Sequence, residues 1–470
     1  MNRPESLAAR RRMFDIQRSA LDADGNRVIR VRVPALVSHP DELRRVLGTS
    51  GPLALEWVAR HGGHELRGAV DPARGRFTMR FRRGVHPDGA WQITLRAGER
   101  ELWRQSVFVQ GKLARSPERI RALALRYAPV FVFSAKEKYF PVSLRTLLRS
   151  PLVKASAETL TLKTIFGKET VPLRELGDFM RYNGHADYLL DFNLFSMKRT
   201  VFAELGGSPA GSTIYYSYLE EPATGRFFIS YHLLYAFDTK TGLSRLTGIG
   251  PHVFDRESML FVFDERETPS SLIVSGHLEH QTIAFLHKLK RWSQGRLRVP
   301  YDDPRTLKLG THPVIAVGEG SHALYPTSGE YQLSLLREIA GYVDPGLFGG
   351  RAAGASAAIS PAQILIPPSL ASTQVPGYRL ASFGLDRLVS RIERDDSGHD
   401  PYRAFLVFSG YWVDVPGTRN ARFPPFTRNV TEVSDWVDGA YQWEWDDVPE
   451  SYLDNNQLIL RFLQENTEDF

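Results

Sequence analysis

The chain has 470 residues, 42% of them hydrophobic and 11% aromatic, which is enough for a sizeable core and too much for global disorder. It contains no cysteine, which excludes disulfides, thiolate catalysis and Cys-based zinc or iron–sulfur sites. The net charge of +6 is modest for this length and does not by itself indicate a nucleic-acid partner.

Length predicts two to four domains, or one large domain with a satellite. Residues 1–25 read as a polar, weakly ordered lead-in. They lack the apolar run of a secretory signal or membrane anchor, and no later segment reaches the roughly 18 apolar residues of a spanning helix. The expected location is cytoplasmic by default, with non-classical secretion as the alternative. Arginines such as Arg10, Arg11 and Arg12 crowd the first part, and Glu444, Asp446, Asp447, Glu450, Glu468 and Asp469 crowd the end. A solvated surface is the plain reading; an anionic membrane partner for the basic half is the sharper one.

Residues 26–112 read as short strands separated by turns. In VIRVRV, Val28, Arg30 and Arg32 alternate with Ile29, Val31 and Val33. LALEWV, FTMRF, WQITLRA and LWRQSVFVQ follow, and the spacing predicts a small immunoglobulin-like β-sandwich without catalytic groups. Ser116-Pro117 marks a helix start, and the domain boundary is placed near 113. A buried strand is predicted at Val130–Phe133, and Glu137 and Lys138 after it read as a solvated pair. His185 and Asp187 carry no signal beyond a structural histidine near an acid.

From Ser212 onward the β pattern sharpens. STIYYSYLEE and GRFFISYHLLYAF predict a hairpin whose second strand ends at Asp238. After a polar loop comes His252, then the strand DRESMLFVFDE. Residues two apart on a strand share a face, so Asp255 and Glu257 project side by side, with His252 expected to fold over the same spot. Three carboxylates and an imidazole at one place repel each other unless a cation lies between them. Oxygen-rich donors with one imidazole suit Mg²⁺, Ca²⁺ or Mn²⁺. The predicted metal ligands are therefore Asp238, His252, Asp255 and Glu257. His277 and His322, at later strand ends, are the second-tier candidates for the same rim. Further on, QLSLLREIAGYV predicts a helix, residues 345–376 a long surface loop, SFGLDRLVSRIERD a helix, AFLVFSGYWVDV a strand, the Trp-rich stretch from Trp436 to Trp445 a wrap over the sandwich, and NNQLILRFLQE a closing helix. Residues 113–470 are thus expected to form one metal-site β-sandwich domain with helical insertions.

The segment His252-Val-Phe-Asp255-Arg-Glu257 resembles the H-x-x-D-x-E core of necrosis- and ethylene-inducing-peptide-like proteins, which are microbial cytolysins with an actinoporin-like sandwich. Over a longer span the chain is similar to the family named for vacuolar protein sorting protein sixty-two. APVFVFSAKEKYFP (128–141), HVFDRE (252–257) and GSHALYP (320–326) stand in that family's order, and SGYWVDVPGTRNARFPPF resembles its later stretch. The resemblance covers about residues 115–450 and implies a mainly β fold, a divalent cation and a toxin-like protein of bacterial source. Arg256 stands where the family has Trp, and Phe254 where it has Gly.

Two functions follow as expectations. In the first, the cation docks a glycolipid, glycan or membrane head group, with Tyr325 or Trp412 stacking nearby. In the second, it activates water to hydrolyse a phosphoester or glycan, with His322 or His277 as general base. No nucleophile elbow, phosphate-binding loop or Rossmann signature is present in the sequence, so binding is preferred to catalysis. A scaffold that has lost the site is the third reading.

Overall fold

The computed structural model describes residues 15–38, 40–87, 89–109, 113–143, 146, 159–164, 167–172, 190–191, 206–221, 224–238, 252–275, 296–320, 322–332, 349–352, 363–375, 377–382, 437–443 and 445–467. The protein is mainly β, built from several antiparallel sheets in a sandwich-type arrangement. Among the described residues no helix is long and apolar enough to cross a membrane.

The first unit contains β1 (Asp15–Leu21), β2 (Arg27–Arg32), α1 (Pro34–Ser38), α2 (Pro40–Leu47), β3 (Glu56–His61), β4 (His64–Ala69), β5 (Arg76–Phe81), β6 (Gly89–Ala97) and β7 (Arg100–Val109). One sheet runs β1-β2-β5 and the other β4-β3-β6-β7. That is an immunoglobulin-type order with the fourth strand moved to the second sheet. Strand alternation decides which residues meet. Ile29, Val31, Phe77, Met79 and Phe81 point inward from one sheet, and Trp57, Ala59, Trp91, Ile93 and Leu95 from the other. Trp57 stacks on Phe77 at 5.5 Å, and Trp91 meets Phe81 edge-on at 4.9 Å. The polar lead-in expected to reach residue 25 instead holds β1, paired antiparallel with β2. An edge strand gains its hydrogen bonds from backbone, so its polar sequence hides it.

Ser116 caps α3 (Pro117–Arg126), its side chain accepting from the Arg119 N–H, as the sequence predicts. The second unit then adds β8 (Val130–Val132), β9 (Thr159–Thr164), β10 (Gly167–Pro172), β11 (Leu190–Asp191), β12 (Thr213–Glu220), β13 (Phe227–Asp238), β14 (His252–Phe263), β15 (Pro269–Val274), β16 (Leu297–Pro300), β17 (Lys308–Leu309), β18 (His312–Val317), β19 (Leu324–Tyr325), β20 (Gly329–Gln332), β21 (Gly349–Ala352), β22 (Ile364–Leu365), β23 (Arg379–Ser382), β24 (Tyr441–Gln442) and α4 (Glu450–Asn466). A seven-stranded sheet runs β23-β12-β13-β14-β15-β16-β24, and a five-stranded sheet runs β17-β18-β8-β22 with β19 beside β18.

The smaller sheet is a middle layer. Phe131, Ile315, Val317 and Leu365 share a core with the large sheet. Val130, Val132, Val314, Ala316 and Ile364, at alternate positions, pack instead with Ile459 and Leu463 of α4. The predicted β12–β13 hairpin is present and in register. Two expectations change. The Gly/Ala/Ser/Pro-rich stretch 345–376 holds β21 and β22, and Ile364 and Leu365 pair with β8 in the core. Two buried residues are too few to show periodicity among small residues. The Trp-rich segment also contributes β24, which extends the large sheet beside β16. The predicted helix at 382–395 and strand at 404–415, with His185, Asp187 and Trp412, lie essentially outside the described residues.

One core histidine sets an acid limit. His312 is buried and donates from Nδ1 to the Ala128 carbonyl at 2.7 Å. Burial pushes its pKa below the ordinary histidine value, and the carbonyl only partly opposes this. The unfolded chain therefore binds this proton first as pH falls. The stability from neutral His312 is complete above the ordinary histidine pKa and is lost as pH drops through the depressed folded value. Urea unfolding at neutral and mildly acidic pH should show a smaller acid-induced loss for His312→Gln than for the native chain; an equal loss would refute this.

Candidate functional site

The site grows from strand direction. β8 and β18 are parallel neighbours, Val130 beside Val314 and Val132 beside Ala316, so both chains leave the sheet at the same edge. Two tight loops follow, at 134–139 and 318–323. Ser134 Oγ donates to Glu319 Oε2 at 2.8 Å, which ties the loops together. The second loop closes on itself, with the Gly318 N–H donating to the Ala323 carbonyl at 2.7 Å and the His322 N–H to the Gly318 carbonyl at 2.9 Å. This closure holds His322 at φ +55°. A left-handed conformation costs a non-glycine residue about 1–2 kcal/mol, so its contacts must offset that.

The contacts come from the inner face of the large sheet. Tyr235 of β13 and Asp255 of β14 are directly opposed, and Glu257 follows Asp255 on the same face. The His322 ring lies flat on the Tyr235 ring, centroids 3.7 Å apart at 4°. Its Nδ1 is 2.8 Å from Asp255 Oδ2, and its Nε2 is 3.6 Å from Glu137 Oε1. Glu137 in turn accepts from the backbone N–H groups of Lys138, Tyr139 and Gly320. Ser275, just past β15, donates to Glu257 Oε2.

The result is a buried acidic cluster with an imidazole at its centre. Burial alone depresses the His322 pKa, but the Asp255 hydrogen bond and the charges of Asp255 and Glu137 outweigh it and hold it at about 10. Burial likewise raises the Glu137 pKa, and His322 with the Gly320 and Tyr139 N–H groups brings it below the ordinary value. Burial, then the Asp255, Glu257 and Glu137 charges, push the Tyr235 phenol well above its usual value. Arg256 is held down to about 10 by burial, with Glu257 and Asp255 pulling the other way.

The predicted residues fare differently. Asp255, Glu257 and His322 come together. Asp238 and His252 are register partners opening the β13–β14 pair, with their side chains outside the described residues. Their positions alternate with Asp255 and share the parity of Arg256. His277 lies outside the described residues. Among the described residues no group of three or more His, Asp or Glu side chains has the arrangement of a metal site. Glu137 corrects a sequence expectation: its side chain is 2% exposed and belongs to the cluster, while Lys138 alone is solvated. The signal lay in the Ser134 turn, which aims Glu137 back toward the sheet.

No family model matches this chain, and no curated protein does. Two solved structures align with the chain at low scores. NLPPya in complex with glucosamine is similar at 13% identity with a TM-score of 0.28, and NLPPya in complex with mannosamine at 11% and 0.27. Each alignment covers 72% of this chain and 96% of the other.

Proposed function

We propose that the protein binds a divalent cation at the end of the central sandwich and uses it to recognise a glycan or lipid head group. Asp255 and Glu257, side by side on the inner face, would hold the ion; Asp238 and His252, on the alternate parity, would not. One observation carries this reading: each of the two inner carboxylates has an orienting partner, His322 for Asp255 and Ser275 for Glu257. Ligating carboxylates are ordinarily fixed by such hydrogen bonds. Charge points the same way. Glu137 and Asp255 flank the His322 imidazole with Glu257 beside them, and Mg²⁺ or Ca²⁺ suits such carboxylate oxygens. Bound, the ion would supply a Lewis-acidic docking point for hydroxyl or phosphate oxygens.

Binding fits better than hydrolysis. A general base must reach its proton and be neutral at working pH. His322 is fully buried, flanked by two carboxylates and held charged.

Metal analysis of the purified protein beside Asp255→Asn and Glu257→Gln tests the proposal. About one equivalent of Mg²⁺ or Ca²⁺ is expected in the native chain, with loss of most of it in each variant. A native metal content no higher than that of the folded variants would overturn it.

A further inference from the structure

We infer that the outward face of the β1-β2-β5 sheet is a docking surface for an anionic lipid bilayer. The argument starts from alternation. β2 buries Ile29 and Val31 and exposes Arg30 and Arg32; β5 buries Phe77, Met79 and Phe81 and exposes Arg76, Thr78 and Arg80. Four arginines therefore stand on one solvent-facing side of the sheet.

Register makes the arrangement unfavourable in isolation. Arg32 is directly opposite Arg76, and Arg30 is directly opposite position Arg18 of β1. Like charges directly opposed across strands destabilise a sheet. Among the described residues, Arg30, Arg32 and Arg76 make no ion pair, and Arg80 lies 3.6 Å from Asp22. The acids nearby are Asp15, whose position pairs with Arg32, Asp71, whose position pairs with Arg76, Asp22, and the exposed Asp24 in the β1–β2 turn. An external anionic surface would relieve the repulsion between the arginines.

Apolar residues choose the kind of surface. Leu21, Val37 and Val85 are three of the exposed large hydrophobic residues of the described chain, and all lie in this sandwich. Val85 sits in the turn after β5, at the Arg80 end of the sheet; Leu21 ends β1 at the same end but on the inward parity of Arg27 and Phe81. The Arg83 N–H donates to Asn26 Oδ1 at 3.0 Å and ties that turn to the β1–β2 turn. Exposed Arg82 and Arg83 precede Val85 in the same turn. Aliphatic tips beside arginines suit the head-group region of an anionic membrane. A single-stranded nucleic-acid surface would instead present stacking aromatics, and among the described residues none stands on this face. The surface is separate from the acidic cluster and does not depend on the cation.

The experiment is vesicle flotation of the full chain with phosphatidylcholine alone and with added phosphatidylserine, at low and high salt. Expected is binding only to the anionic vesicles, weakening with salt. Arg30→Gln/Arg32→Gln/Arg76→Gln should bind about a hundred-fold more weakly, at about five-fold for each arginine. Arg76→Gln alone serves as the milder variant. Equal binding to neutral vesicles, an unchanged affinity in the folded triple variant, or arginine-dependent binding to heparin or single-stranded DNA without vesicle binding would each overturn the inference.

Discussion

Replacing His322 with alanine is expected to destabilise the protein by about 3–5 kcal/mol, because removing one member of a buried ion pair takes its charge away from the two carboxylates it faces. Asp255 would lose its hydrogen bond, and Glu137 would face it across the vacated space. The ring's stacking on Tyr235 would also go. Alanine at φ +55° gains nothing in return, since the left-handed strain remains. His322→Asn separates these effects. Asparagine tolerates the left-handed region and can donate to Asp255, so its loss should be clearly smaller. Urea unfolding of both variants provides the check. A His322→Ala stability within about 1 kcal/mol of the native chain would show that the cluster is solvated and that no buried pair exists. Glu137→Gln on the His322→Ala background should then restore part of the stability, since it removes one of two facing carboxylates.

What the sequence revealed follows from the range over which each signal acts. Asp255 and Glu257 were legible as neighbours because strand alternation is local, and the structure leaves them together on the inner face. The Ser116 cap and the β12–β13 hairpin were legible for the same reason. His322 was named as a rim residue, yet its role as the centre of the cluster was not. That role depends on β8 and β18 lying parallel and adjacent, which joins loops 185 residues apart at the Ser134–Glu319 hydrogen bond. No local pattern carries that pairing. Glu137 was misread for a related reason. A Lys- and Glu-rich turn has the composition of a solvated loop, and only the tertiary fold turns one of those acids inward. The arginine face was visible as alternation in VIRVRV, but its like-charge pairs required the register with β1 and β5.

Arg115 marks the other place where long-range charge decides stability. It sits just before α3, with its side chain 13% exposed. Nε donates to Glu267 Oε1 at 2.9 Å, and Nη2 donates to the Glu265 carbonyl at 3.1 Å. Nη1 lies 3.4 Å from Tyr218 Oη and 3.7 Å from Glu220, and the guanidinium covers the Phe227 ring at 3.9 Å. Arg119 also reaches Glu267, so that carboxylate keeps a partner when Arg115 is removed. Glu220 has less recourse: it keeps the Tyr218 hydroxyl and the Ala114 and Arg115 N–H groups, but no described cation other than Arg115 lies against it. Arg115→Ala should therefore destabilise by about 3–5 kcal/mol, with the larger share arising at Glu220 and Phe227. It should also open the segment before α3 to protease, because the same Glu220 carboxylate holds the backbone of Ala114 and Arg115. Arg115→Met with Glu220→Gln keeps the volume and removes both charges, and its loss should fall well short of the sum of the single losses. Strictly additive losses would mean that Arg115 and Glu220 are not coupled, and that Phe227 packing alone sets the effect of Arg115.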